Sequence, residues 1–374
     1  MSRISRERSL CVAQLLPAMH EGGVERGTLE IAAALAAAGH RPLVVSEGGR
    51  MVETLAEIGA EHVALPVGRK SPLSLVLVPA LRRLLQSHHV DILHLRSRLP
   101  AWLGYLAWRG LPPAQRPRLV TTVHGFYSVN WYSAIMVRGE RVIAVSNAVE
   151  HYLKDNYPRL DPRRVRVIHR GVDDARYYPG YHPPEAWLRA WRSELPEIAG
   201  GVLVTMAGRL SRLKGHEDFI EVIAHLRDRG VPVRGLVVGD DTGRRRRYAA
   251  GLKHQVARRG LPVRFIGSRN DLREIFSVSD VVVSLSAQPE SFGRSVLEAL
   301  ALGTPVVGYA HGGVGEILRA MFPRGAVPAG DKTAAAAAIE DIYRNYCRVE
   351  AINPFPLRKM LDDTLSLYRE LADG

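Results

Sequence analysis

Short apolar runs alternate with longer stretches of helical spacing along the whole chain. Residues 10–16 are apolar except for Gln14, the mark of a strand buried on both faces. After a loop over residues 17–23, apolar positions from 24 to 38 recur at helical spacing and stop at Gly39. Residues 41–46, 62–65, 92–95, 119–123, 141–145 and 165–168 repeat the strand pattern, and helical stretches such as 51–58 lie between them. Residues 171–184 are polar, aromatic and proline-rich, and read as a linker. The alternation resumes with strands at 201–207, 233–239, 263–267, 281–285 and 305–308. The alanine run 334–338 falls inside a helical pattern, and residues 357–371 form an amphipathic one. Repeated β-α units of this kind predict parallel sheets covered by helices on both faces.

A length of 374 residues favours two cores over one. The expected division is a first domain over 1–170, a linker over 171–200, a second domain over 201–354 and a final helix over 355–374. Cys11 and Cys347 are the two cysteines and lack metal-site spacing, which argues against a disulfide framework or a zinc site and for a reducing, cytoplasmic setting. The basic start, residues 1–8, leads into a short run broken by Gln14 and Pro17, which reads as a first strand and not a signal peptide. No stretch approaches the ~18 uncharged apolar residues of a membrane span. The net charge is +13 and uneven: residues 1–170 carry 23 Lys and Arg against 13 Asp and Glu, whereas residues 171–374 carry 28 against 25. An anionic partner for the first half fits this asymmetry, as does a merely soluble basic surface.

Candidate chemistry concentrates in the second half. Glu290 and Glu298 lie eight residues apart in a strand–loop–helix passage, with the first acid on the loop and the second about a turn into the helix. The helix-start N–H groups between them suit an anion. Two acids around a phosphate pocket suit a ligand with hydroxyls at both ends and phosphates in the middle, such as a nucleotide-sugar. Arg209 and Lys214, five apart after the first strand of this half, are placed to grip a diphosphate or to form an ordinary exposed basic loop.

Gly208-Arg209-Leu210, Lys214-Gly215, the Glu290/Glu298 pair, Gly303-Thr304-Pro305-Val306-Val307 and the early Glu21-Gly22-Gly23-Val24-Glu25-Arg26 together resemble the retaining glycosyltransferases of family 4 (group 1) over nearly the whole chain. The likeness extends to enzymes that glucosylate lipopolysaccharide core. It implies the GT-B architecture: an α/β fold of two Rossmann-like doubly wound domains facing across a cleft, with the last helix crossing back to the first domain. It also implies roles for individual residues. Glu290 would contact the donor sugar's hydroxyls. Phe292 and Gly293 would offer backbone amides to that sugar and the distal phosphate, and Ser295 and Val296 theirs to the diphosphate. Glu298 would hold the ribose, and Arg209 and Lys214 would neutralise the departing diphosphate. Gly22 and Gly23 would allow close approach of the first loop, His124 would touch the donor sugar or its phosphate, and the base would lie near Gly267, Ser268 and Arg269.

The expected reaction moves a hexose from a nucleotide-sugar, a UDP-sugar, to a glycan or lipid-linked acceptor such as lipopolysaccharide core. No cofactor or metal is expected, since Asp240-Asp241 is adjacent and not spaced as a metal motif. Arg26, Arg96 and Arg98 read equally as acceptor contacts or exposed charges. Trp102, Tyr105 and Leu106 share one helical face, with Trp108 at its edge, and suit either core packing or an anionic membrane surface; residues 73–85 with Arg82-Arg83 are a second such candidate. Peripheral contact with the inner membrane face follows from that reading. Arg244-Arg245-Arg246-Arg247 lacks the aromatic interleaving of a nucleic-acid reader. The alternatives are a nucleotide-sugar epimerase or phosphorylase on the same fold and, ranked low because no Gly-x-Gly-x-x-Gly follows Leu16, an NAD-dependent oxidoreductase.

Overall fold

A computed structural model of the chain describes residues 8–20, 22–349 and 352–374. The chain divides into two compact units, residues 1–169 with 358–374, and residues 170–357.

The first unit contains β1 (Cys11–Leu15), α1 (Gly23–Ala37), β2 (Arg41–Ser46), α2 (Val52–Glu57), β3 (Glu61–Ala64), α3 (Leu77–Ser87), β4 (Ile92–Leu95), α4 (Arg98–Arg109), β5 (Arg118–Val123), β6 (Arg141–Ala144), α5 (Asn147–Asn156) and β7 (Val165–Val167). Its seven strands pair in the order β3-β2-β1-β4-β5-β6-β7, each pair parallel. β1, β2 and β4 are buried almost end to end, which is why they read as apolar runs and not as alternations.

The second unit holds α6 (Glu185–Glu194), β8 (Val202–Ala207), α7 (His216–Asp228), β9 (Val233–Val238), α8 (Arg246–Arg258), β10 (Val263–Phe265), α9 (Leu272–Ser277), β11 (Val281–Ser284), α10 (Arg294–Ala301), β12 (Val306–Tyr309), α11 (Gly312–Met321), β13 (Ala326–Val327) and α12 (Lys332–Asn345). Its parallel sheet runs β10-β9-β8-β11-β12-β13. In both sheets the strand order reverses once, between β1 and β4 and between β8 and β11. Loops leaving the carboxyl ends of those strands diverge, and ligands of doubly wound sheets sit there.

The final helix, α13 (Leu357–Asp373), packs into the first unit. Tyr368 is buried and shares a hydrogen bond with His94 Nδ1 at 2.6 Å, and His94 Nε2 meets Thr122 Oγ1 at 2.6 Å.

Residues 171–200, expected as a linker, hold folded structure instead. Val172 bridges to Pro356, Tyr177 is buried in the core of the second unit, and α6 follows. Trp187 and Trp191, one helical turn apart, stack at 5.0 Å between ring centroids and bury Trp191 against Leu203, Leu236 and Ile275. β13 was not foreseen, because two residues are too few to show a pattern.

Candidate functional site

The switch point of the second sheet brings together the loop after β8 and the loop after β11. Ala287 N–H donates to the Leu213 carbonyl at 2.9 Å. Gly215 has a left-handed backbone (φ 76°), and a Cβ there would stand 1.7 Å from the Leu285 carbonyl oxygen. No other residue type fits the crossing of the two loops. That crossing sets Lys214 Nζ 2.7 Å from Glu290 Oε1, with both side chains about three-quarters buried.

Glu290 is held on several sides. Ser286 Oγ donates to the same carboxylate oxygen, and the Gly313 N–H donates to the Glu290 carbonyl at 2.8 Å. His311 Nε2 bonds the Ser286 carbonyl at 2.9 Å. Burial alone would push the Glu290 carboxyl up, but the Lys214 charge, the hydrogen bonds from Lys214 and Ser286 and the nearby His311 hold it below the usual range. The acid is therefore kept ionised, as a hydrogen-bond acceptor and not a proton donor.

Beyond Glu290 the chain turns into α10. Gly293 occupies its N-cap position, and the amides of Ser295 and Val296 fall in the first turn, whose N–H groups have no partner within the helix. Phe292 is buried edge-on to Phe355. Glu298 is buried and pairs with Arg294 Nε at 3.2 Å, one turn back on the same helix. Arg209 stands on the first of the two loops, exposed and without an ion pair among the described residues.

Four residues of this site escaped the sequence reading: Ser286, His311, Gly312 and Gly313. A Cβ on Gly312 would lie 2.5 Å from the Glu290 carbonyl oxygen, and one on Gly313 would lie 2.3 Å from the Phe292 Cα. The start of α11 therefore clamps the loop that carries Glu290. Gly312-Gly313 stands at the start of α11 much as Gly22-Gly23 stands at the start of α1, and that likeness is the signal the sequence offered.

Several expected residues are placed differently. Arg269 is not open to a base: its guanidinium makes paired bonds to Asp271 (2.9 and 2.7 Å), reaches Glu194 at 3.0 Å and faces the Trp191 ring. The hydrogen bonds to Asp271 raise its pKa and lower that of Asp271. Gly267 keeps its backbone in the left-handed region (φ 72°), and its carbonyl accepts the Gly239 N–H at 2.8 Å.

In the first unit, Gly22 caps α1 and Gly23 begins it, while Glu21 lies outside the described residues. His124 follows β5, half-buried, and its backbone N–H donates to Tyr127 Oη at 3.4 Å. Arg96, read as a loop cation, is 1% exposed and bonds Gln14 Oε1 at 2.9 Å; burial lowers its pKa to about 10. Arg98 packs over the Tyr127 and Tyr132 rings, and Arg26 pairs with Glu30. Trp102 donates its indole N–H to the Tyr132 carbonyl, and Trp108 stacks on Tyr105 with Arg116 over its ring, so this helix face is packed and does not form an open aromatic surface. In the basic run, Arg245 pairs with Asp240. Among the described residues no group of three or more His, Cys, Asp or Glu side chains could hold a metal ion, and no helix is long and apolar enough to cross a membrane.

Residues 21–176 match the family model for Glycosyltransferase Family 4, and residues 189–355 match that for Glycosyl transferases group 1. The two matches together take in most of the chain, which belongs to this family of GT-B glycosyltransferases.

A D-inositol 3-phosphate glycosyltransferase from Salinispora tropica is 30% identical over 62% of this chain and 52% of its own length. The chain thus spans about half the length of such curated relatives. A glycosyltransferase structure from Rickettsia africae is 28% identical and superposes with a TM-score of 0.82 over 98% of this chain and 99% of that one. HepE from Anabaena, solved in complex with UDP-glucose, shares the fold at 22% identity, with a TM-score of 0.77 over 97% and 98% of the two chains.

Proposed function

We propose that this chain is a retaining glycosyltransferase that moves a hexose from a UDP-sugar to a glycan or anionic lipid-linked acceptor, of which lipopolysaccharide core is one. The observation that carries the reading is the Lys214–Glu290 pair at the switch point of the second sheet. A cation and an ionised acid in contact, beside the exposed Arg209 and the first turn of α10, are what a diphosphate bearing a hydroxylated sugar requires. Binding of the donor moves Lys214 from Glu290 to the diphosphate and frees the carboxylate to accept hydrogen bonds from sugar hydroxyls. As the bond from the anomeric carbon to phosphate oxygen breaks, negative charge grows on the leaving diphosphate. Lys214, Arg209 and the Ser295 and Val296 amides stabilise it without an assigned metal. The acceptor hydroxyl forms the new bond on the same face and gives its proton to the leaving phosphate. The UDP-glucose bound to HepE and the inositol phosphate in the name of the Salinispora relative support this donor class and a phosphorylated acceptor.

The test is transfer and donor hydrolysis by Lys214→Ala and Glu290→Ala. Each is expected to lower kcat/KM by roughly 10²–10³. Full activity in both would sink the assignment. A new nucleotide-sugar isomer formed from UDP-glucose without acceptor would favour the epimerase instead.

The acceptor reading extends to a membrane surface, at the cytoplasmic face. In the first unit, the turn Pro72–Val76 leaves Leu73, Leu75 and Val76 exposed (74%, 57% and 70%), with exposed Lys70 and Arg83 nearby in sequence. Trp131 (76%) stands edge-on to Trp102. Apolar prongs with basic flanks suit an anionic interface. Flotation with anionic vesicles at low salt is expected, and Leu73→Ser with Val76→Ser should weaken it. No flotation of the unaltered protein would remove the membrane proposal.

A further inference from the structure

A groove in the second unit remains outside the site just described. It is open to the surface and offers about 490 Å³ between the turn Arg212–Lys214 with the start of α7 on one side and one face of α8 on the other. That volume is in the range of small-molecule sites. Arg212 and Arg247 face into it from opposite walls, and neither forms an ion pair among the described residues. Glu217 and Gln255 add groups that bond hydroxyls, and Tyr248 and Leu252 add apolar wall. The Tyr248 ring is set edge-on to the buried His216, so the groove wall is held from behind. Burial, with Glu217 beside it, pushes the Tyr248 hydroxyl up to about 12, so it remains a neutral hydrogen-bond donor.

Gly251 is the telling residue. It lies in the middle of α8, where glycine costs about 1 kcal/mol relative to alanine. Packing does not require it, since a Cβ at this position would meet nothing within 4 Å. What the missing side chain leaves open is the groove. The arginines add to the cost. Arg246 and Arg247 stand in the first turn of α8, against the positive end of the helix, a repulsion that an anion bound there would offset.

We propose that this groove binds a phosphorylated sugar, with its phosphate between Arg212 and Arg247 and its hydroxyls on Glu217 and Gln255. Two guanidinium groups suit one doubly charged phosphate, and the Glu217 carboxylate disfavours a bare polyanion. Arg212 shares its turn with Lys214, so occupancy bears directly on the loop that presents the diphosphate grip.

The experiment is calorimetric titration of the full chain with glucose 6-phosphate, glucose and inorganic phosphate, each with and without UDP. Glucose 6-phosphate is expected to bind at about millimolar affinity or better, at least roughly tenfold more tightly than phosphate or glucose. Arg247→Gln and Gly251→Leu should each weaken that binding by about tenfold or more. Gly251→Leu fills the groove while improving helix propensity, so misfolding does not obscure its result. UDP affinity should be unchanged in both variants, which separates this site from the donor site. Displacement of glucose 6-phosphate by UDP, equal binding of phosphate alone, equal binding by the variants, or no binding at about 10 mM would each overturn the proposal.

Discussion

His216 follows Gly215 at the start of α7 and is 1% exposed, with burial lowering its pKa to about 4. An unfolded histidine titrates near 6.5, so between pH 6.5 and 4 the unfolded chain binds the extra proton. Stability from this residue is therefore full above pH 6.5 and is lost as the pH falls towards 4, by about 3 kcal/mol in all. Thermal unfolding followed from pH 7 to pH 4 should show this loss in the unaltered protein and a shallower one in His216→Phe. The same residue scale shows what was legible. Lys214 and Glu290 were identified by residue type and order, and the fold brings them into contact. Arg269 had the right type as well, but Asp271 two residues later takes its guanidinium. Arg96 was misplaced because a cation after a strand looks exposed in sequence, whereas Gln14 on the neighbouring strand gives it a buried partner.

Elements were legible where burial was continuous. β2 and β4 have the bounds their apolar runs predicted. α6 was missed because prolines and aromatics before it dominated the reading. The spacing of Trp187 and Trp191 is nevertheless helical, and Pro184 sits at the N-cap, where a missing N–H costs little. The helix fastens the loop after β10: Trp187 donates to Asp271 at 2.7 Å, and Arg269 joins Asp271 to Glu194. Trp191→Ala is expected to destabilise the second unit by roughly 3–5 kcal/mol, read from its denaturant midpoint. It should also raise KM for the donor more than it lowers kcat, because the loop it anchors is the one expected beside the base.

At the scale of the whole molecule, two doubly wound units were foreseen from length, alternation and family resemblance together, and the charge asymmetry assigned the basic excess to the first. Sequence could not show that residues 171–200 fold onto the second core, since that depends on contacts with strands far along the chain. α13 illustrates the same limit. Its amphipathic face buries Met360, Leu365, Leu367, Tyr368 and Leu371 in the first unit, and the Tyr368 hydroxyl meets His94. Tyr368→Phe is expected to cost the first unit about 1–2 kcal/mol and to leave the second unit unchanged, which hydrogen exchange resolves unit by unit.

That helix also dictates an order of events at the ribosome. The first unit precedes the second in the chain but needs residues 358–374 to close its core, whereas the second is contiguous from 170 to 357. The unit that carries Lys214 and Glu290 is therefore complete while the earlier one still waits, unsealed, for residues 358–374 to be translated.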